Sequence, residues 1–263
     1  MSNRTALAGL KIVVTRPHEQ ADHLVRLISQ AGGTAIRFPL LTIHPSADLT
    51  TLKQQVANIY SYNLAVFISP NAVRYGMEAV LAAGGLPPHI KIAAMGPGSV
   101  QALREYGVQE IIAPPAISGQ GKFDSETLLV LPELQNVAGW NVLIFRGDGG
   151  RELLGDTLKL RGAQVEYVSC YQRRKPPLNL GELLAVRPDA LTVTSSEALV
   201  YLHEMLDQQT HAIILRIPLF VPHARIAEAA HKLGWQTITK TAGGDEGLLQ
   251  GLMAWAENTA GER

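Results

Sequence analysis

The chain has 263 residues, with 23 basic and 23 acidic side chains and one cysteine. At about 100–200 residues per domain this allows one large domain or two modest ones, and 46% apolar with 17% charged residues describes a folded chain rather than a disordered one. The zero net charge carries no basic footprint for nucleic acid, the lone Cys170 excludes an internal disulfide or a cysteine-pair metal motif, and no apolar run reaches the roughly 18 residues of a membrane span.

Read in chain order, short β-branched runs alternate with stretches of helical period. Lys11–Thr15 predicts a buried strand, and Glu19–Gln30 a helix in which Ala21, Leu24, Leu27, Ile28 and Ala31 recur on one face before Gly32-Gly33. Ala35–His44 is extended again, with Pro39 breaking it in the middle. Further strands are predicted over Leu64–Ile68, Lys91–Ala94, Glu110–Ile112, Asn141–Phe145, Gln164–Tyr171, Ala190–Thr194, Pro218–Val221 and Thr237–Thr239, most of them separated by helical stretches. This alternation predicts an α/β class with parallel sheets covered on both faces. The opening MSNRTALAGL lacks the apolar core of a secretory signal, so a cytoplasmic location is expected.

The chain also repeats itself. GLKIVVTRPHEQADHLVRLISQAGGTAIRF lies on GWNVLIFRGDGGRELLGDTLKLRGAQVEYV, with Gly9 on Gly139 and Arg16 on Arg146. AVFISPNAV lies on ALTVTSSEAL, with Ser69 on Ser195; then Gly107 falls on Gly234, and SETLL on DEGLL with Glu126 on Glu246. Four blocks in one order predict two copies of one βα set. The second strand of each copy is long, at Ala35–His44 and Gln164–Arg173. If both cross between lobes, one lobe is built of the chain ends and the other of the middle; periodicity alone leaves that open.

Chemistry in such sheets sits at strand-to-helix turns, where helix N-termini offer unpaired N–H groups to anions. Four turns qualify: Ser69-Pro70-Asn71, Gly96-Pro97-Gly98-Ser99, Thr194-Ser195-Ser196 and His223-Ala224-Arg225. Each is also an ordinary capping sequence; their recurrence in both copies favours a functional reading, with the two lobes ringing a cleft of amide donors. GPGS lacks the third glycine of a dinucleotide fingerprint, no phosphate-binding loop occurs, and the eight histidines show no metal-ligand spacing. Arg146-Gly147-Asp148 reads as a turn, and Arg173-Arg174-Lys175 as a solvated linker. On the strand from Gln164, alternation places Tyr167, Ser169 and Tyr171 on one face and Cys170 on the other. Tyr171 is either a half-buried aromatic at a strand end or, if the strand crosses between lobes, a side chain near the cleft floor.

VVTRP, FISPNAV, AAMGPGSVQAL, LIFRGDGGRELLGDTLKLRGA and VEYVSCYQR, in this order and over Leu10 to Met253, resemble the uroporphyrinogen-III synthase family. The resemblance implies two flavodoxin-like lobes with parallel sheets joined by two extended crossing strands, one lobe from residues 1–38 and 175–263 and the other from 39–174. It implies a cytosolic lyase of tetrapyrrole biosynthesis that closes hydroxymethylbilane to uroporphyrinogen III, losing water and inverting the last pyrrole ring, with no metal or organic cofactor. By position, Tyr171 matches the residue assisting loss of the substrate hydroxyl; Ser69 and Asn71 match the first amide-donating turn, Gly98 and Ser99 the second, and Ser195 with Ser196 the third. The fourth turn departs, with His223-Ala224-Arg225-Ile226 where a Gly-x-Thr pattern is usual, and Arg225, Arg16 and Arg146 complete the candidate substrate-binding set. A monomer is expected, taking substrate by handover from the preceding pathway enzyme, with no nucleic acid or membrane partner. Two other classes fit the residues: a non-catalytic two-lobed small-molecule binding protein, and a nucleotide-using enzyme of flavodoxin-like type.

Overall fold

A computed structural model describes residues 5–115 and 124–260. From the N-terminus run β1 (Lys11–Val14), α1 (His18–Gln30), β2 (Thr34–Arg37), β3 (Thr42–Pro45), α2 (Leu49–Ala57), β4 (Leu64–Phe67) and α3 (Pro70–Ala82). The middle holds β5 (Lys91–Ala94), α4 (Pro97–Glu105), α5 (Ser125–Leu129), β6 (Asn141–Gly147), α6 (Leu153–Leu160) and β7 (Gln164–Arg174). The last part holds α7 (Leu180–Ala185), β8 (Ala190–Thr192), α8 (Ser196–Glu204), α9 (Gln208–Ile214), β9 (Leu219–Val221), α10 (Ala224–Lys232), β10 (Ile238–Lys240) and α11 (Gly244–Ala260). The chain divides into two compact units, Met1–Thr42 with Arg174–Arg263, and Ile43–Arg173.

The unit of the chain ends carries a parallel sheet in the order β10-β9-β8-β1-β2. Counted by appearance within the unit this is 2-1-3-4-5, the flavodoxin order. Its strands are short apolar runs because both faces are covered. Val13, Leu191, Val193, Leu219 and Val221 face a core with Leu199, Leu202 and Ile226. Ile12, Val14, Ala190 and Phe220 face the other, built on Leu24 and Ile28 of α1 and Leu248 and Leu252 of α11.

The middle unit carries the order β3-β7-β6-β4-β5. From β7 to β5 the pairs are parallel. At β3 the partners run in opposite directions: the Ser46 N–H donates to the Cys170 carbonyl at 3.1 Å, and Thr42 Oγ1 to the Arg174 carbonyl at 3.2 Å. One face packs Ala65, Phe67, Leu143, Phe145 and Val168 against α2, α3 and α4; the other packs Leu64, Val66, Val142 and Ile144 against α5 and α6. Phe67 and Phe145 stack with centroids 4.5 Å apart, a pair worth roughly 0.5–1.5 kcal/mol beyond its buried area.

The repeat is exchanged between the units. β1, α1 and β2 match β6, α6 and β7, while β4, α3, β5 and α4 match β8, α8, β9 and α10. Each unit therefore joins the start of one copy to the end of the other. Even β10 has its counterpart: the expected strand at Glu110–Ile112 is reduced to one parallel bridge, Ala93 to Ile112, in the matching place beside β5. The extended stretch Ala35–His44 is broken around Pro39, as expected, into two strands that lie in different sheets. Pro39 has no N–H for a ladder, and around it Phe38, Leu40 and Leu41 bury in the first unit's core before β3 starts at Thr42. Arg146 and Gly147, read as a turn, continue β6.

Candidate functional site

All four predicted turns open helices. In the middle unit, Ser69 is extended at the end of β4 and its Oγ accepts the Ala72 N–H at 3.0 Å, with Pro70 at the first helical position. Gly96 begins α4 without a side-chain cap, and Ser99 is buried. The two helix starts adjoin, since a Cβ on Gly98 would lie 3.2 Å from the Pro70 ring. In the other unit, Ser195 caps α8 with a longer bond of 3.4 Å from Ala198 N–H, and His223 caps α10 without a side-chain bond. Partial burial, with Arg225 adding to it, holds His223 below the ordinary histidine range, so its imidazole is neutral at pH 7.

The most developed cluster is around Tyr171. The register of β6 against β7 slips between Arg146 and Gly147: Arg146 faces Ser169 while Gly147 faces Tyr171, leaving Cys170 as the extra residue of a bulge. Strict alternation would put Tyr171 on the face of Tyr167 and Ser169; the bulge turns it onto the opposite face, among Val168, Cys170, Phe67 and Phe145. Tyr171 is 1% exposed, so it is more deeply placed than a half-buried strand end. Its hydroxyl lies 3.1 Å from Ser69 Oγ and accepts from Arg173 Nη2 at 3.2 Å. The Arg173 guanidinium also stands 5.5 Å over the Tyr171 ring, and Tyr75 stacks on it at 6.1 Å. Gly147 makes the room: a Cβ there would come within 2.7 Å of the ring. The loop after β6 pins the segment, as Asp148 N–H donates to the Tyr171 carbonyl at 3.0 Å and Asp148 Oδ1 accepts the Arg173 N–H at 3.1 Å.

Arg173 is therefore part of the cluster and was missed by the reading of Arg173-Arg174-Lys175 as a solvated linker. Its one sequence signal is a cation two residues after a strand tyrosine. Cys170 beside it is inert: burial pushes its thiol up to about 12, and the Sγ–H donates to the Arg146 carbonyl at 3.2 Å.

The remaining candidates fall into different situations. Asn71 is the second residue of α3, on a half-buried position. Ser196 opens α8 with its Oγ buried and without a protein partner. Arg225 is exposed in the first turn of α10. Arg146 is 7% exposed, donates from Nε to the Gly149 carbonyl at 3.1 Å and from Nη2 to the Gly150 carbonyl at 3.2 Å, and lies 4.5 Å over the Tyr167 ring. Its guanidinium is largely spent on its own loop. Arg16, its counterpart, keeps 26% of its side chain exposed and pairs through Nη1 with Asp245. Among the described residues no group of three His, Cys, Asp or Glu is placed to hold a metal, and no helix is long and apolar enough to cross a membrane.

Two flavodoxin-like units built from exchanged halves of a repeat, with helices opening at strand-end turns and a tyrosine–serine–arginine cluster at the end of β7, define a class of two-unit α/β proteins. The profile described as "Uroporphyrinogen-III synthase HemD" matches residues 22–250. The uroporphyrinogen-III synthase of Escherichia coli K12 is 36% identical over 92% of this chain and 100% of its own length, and that of Salmonella typhimurium LT2 is 35% identical over the same shares. Among solved structures, a mutant uroporphyrinogen III synthase from Thermus thermophilus aligns with a TM-score of 0.64 at 21% identity, covering 95% of this chain and all of that one. The chain belongs to the uroporphyrinogen-III synthase family, enzymes of tetrapyrrole biosynthesis. This supports the enzyme over the non-catalytic binding protein that the residues alone left open.

Proposed function

We propose that this chain is a hydro-lyase that closes hydroxymethylbilane to uroporphyrinogen III, with loss of water and inversion of the last pyrrole ring. It acts in the cytoplasm as a monomer, takes its substrate from the preceding enzyme, and uses no metal or organic cofactor. The observation that supports the reading is the Tyr171 hydroxyl between Ser69 Oγ and Arg173, held in place by the bulge at Cys170.

In the proposed step the Tyr171 hydroxyl gives its proton to the departing substrate hydroxyl, and the carbon–oxygen bond breaks as the pyrrole nitrogen lone pair pushes the oxygen out as water. Arg173 donates to the phenol oxygen, so it counters the negative charge left there during the transfer. The already substituted carbon of the far ring attacks the methylene cation to give a spiro intermediate. That intermediate fragments and recloses with the ring inverted, and the proton lost from the final ring carbon returns to Tyr171. Charge and atoms then balance: one substrate gives one macrocycle and one water.

The substrate's acetate and propionate arms are assigned to amide donors at helix starts such as those of the adjoining α3 and α4. Each helix N-terminus favours an anion by roughly 0.3–1 kcal/mol, so a chain of zero net charge can still hold a polyanion. Directing attack to the substituted carbon a hundredfold over the uninverted closure needs a barrier difference of about 2.7 kcal/mol, within reach of geometric restraint.

The test is isomer-resolved product analysis after incubation with hydroxymethylbilane. The chain is expected to give the inverted isomer; a product mixture identical to that formed without protein would overturn the proposal. Tyr171→Phe is expected to slow closure, and an unchanged rate with an unchanged isomer ratio would remove Tyr171 from the mechanism.

A further inference from the structure

Arg16 and Arg146 hold equivalent places in the repeat, each just past or at the end of the first strand of its copy. Their surroundings differ because of one residue at the start of the last helix. In the block that aligns SETLL with DEGLL, Asp245 stands where the other copy has Ser125. With a serine at the matching position of α5, Arg146 donates to the Gly149 and Gly150 carbonyls and lies over Tyr167. With Asp245 in the first turn of α11, Arg16 is drawn across to that helix.

Asp245 is 8% exposed and both of its oxygens are engaged. Oδ1 accepts Arg16 Nη1, and Oδ2 lies 3.1 Å from His23 Nδ1 on α1. His23 Nε2 in turn stands 3.6 Å from Glu246. The carboxylate is thus fixed from two sides, and it fixes one edge of the guanidinium. The rest of that guanidinium is not consumed: Nε is buried and finds no acceptor in the protein, and a quarter of the side chain, 26%, is exposed. A guanidinium held by a carboxylate through one nitrogen and still partly exposed is arranged to receive a second oxygen anion on its exposed side, since its fork of donors suits carboxylate geometry.

We infer that Asp245 is a positioning residue that holds Arg16 at the β1–α1 turn, so that its remaining N–H groups receive a carboxylate arm of the substrate. The inference rests on the proposed function for the identity of that carboxylate, and it adds a residue outside the turns and strands assigned to the site. Asp245 touches no reacting atom; it acts through Arg16.

The experiment is a double-mutant cycle in the full-length chain, with steady-state kinetics on hydroxymethylbilane for Arg16→Ala, Asp245→Asn and the pair. Each single change is expected to raise KM about tenfold, the size of one charge-assisted hydrogen bond, with kcat within about twofold. The double variant is expected to match Arg16→Ala, because the aspartate has nothing left to position. Additive effects on KM, an unchanged KM in Arg16→Ala, or a loss confined to kcat would overturn the inference. If Asp245→Asn does not fold, Asp245→Ser installs the residue of the matching position and is read in the same way, with circular dichroism melting separating misfolding from weakened binding. Wild-type turnover is the independent control: its absence strikes the proposed function, whereas a wild type that turns over and a cycle that adds strikes this inference alone.

Discussion

Leu41 in the first unit and Tyr171 in the second stand at the same place in the repeat, each following a first sheet pair and each buried. Leu41 packs into an apolar core with Leu40 and Leu199. Tyr171 packs as well but brings a hydroxyl to the capping Ser69, for which Ser195 in the other unit has no phenol partner. The arginines divide in the opposite sense: Arg146 beside the tyrosine is closed off by its own loop, while Arg16 is held at its turn by Asp245 with part of its side chain exposed. Duplication thus kept the scaffold, whose strands and helices match between the copies, and let one copy carry a buried phenol at its serine cap and the other a partly exposed cation. The scaffold needs only apolar periodicity, which tolerates many substitutions; the chemistry needs single groups at hydrogen-bond distance, and those are free to differ between copies.

The comparison can be broken most sharply at Tyr171. Tyr171→Phe keeps the packing and removes the hydroxyl, and kcat is expected to fall on the order of 10²–10⁴-fold, the usual range for a general acid, whereas Leu41→Met in the matching place is expected to leave kcat unchanged. Stopped-time assays with separated isomers check both.

The units should also differ in alkaline stability. Cys170 has its thiol pushed up from 9.0 to about 12 by burial, and Tyr62 its phenol from 10.0 to about 12 by burial and a bond to Glu166, both in the middle unit. A group whose folded value lies above its unfolded one contributes stability below the unfolded value and loses it as the pH climbs toward the folded one. The thiol's contribution, up to a few kcal/mol, is therefore present below pH 9 and lost between 9 and 12. Urea midpoints measured from pH 7 to 11 are expected to fall, with Trp140 in the middle unit reporting the change before Trp235 and Trp255 in the other. Cys170→Ala is expected to flatten the pH dependence, and a fall that persists unaltered in that variant would contradict the assignment.

Gly147→Ala should be felt next. The new methyl would press on the Tyr171 ring, costing roughly 1–3 kcal/mol of stability by overcrowding and lowering kcat as the hydroxyl moves. The smallest effects are expected at the caps. Ser69→Ala and Ser195→Ala should each cost about 1 kcal/mol in thermal or urea unfolding. Only Ser69→Ala should also change kcat, since only Ser69 contacts Tyr171; equal kinetic effects from both would erase the distinction between the units.

Much of this was readable in the residues. Lys11–Val14, Lys91–Ala94 and the capped starts at Ser69 and Ser195 follow from local patterns, and the repeat exposed the pairing of Arg16 with Arg146. What failed was whatever depended on a neighbour distant in the chain. The face of Tyr171 was misjudged because the bulge arises only where β7 pairs with β6. Arg173 was passed over because its partner is the ring of a residue whose direction the bulge decides. The break of Ala35–His44 was legible at Pro39, but the burial of Phe38, Leu40 and Leu41 around it depends on a core built from distant residues.

By itself the sequence determined the local elements and their class, because helical and strand periodicity, caps and breakers act over a few residues and need no partner. Only the tertiary structure decided which half of each repeat joins which unit, onto which face Tyr171 turns, and that Asp245 reaches Arg16 across 229 residues of chain. Those outcomes depend on the register of paired strands and the packing of whole helices, where many weak contacts act together and no single residue announces the result.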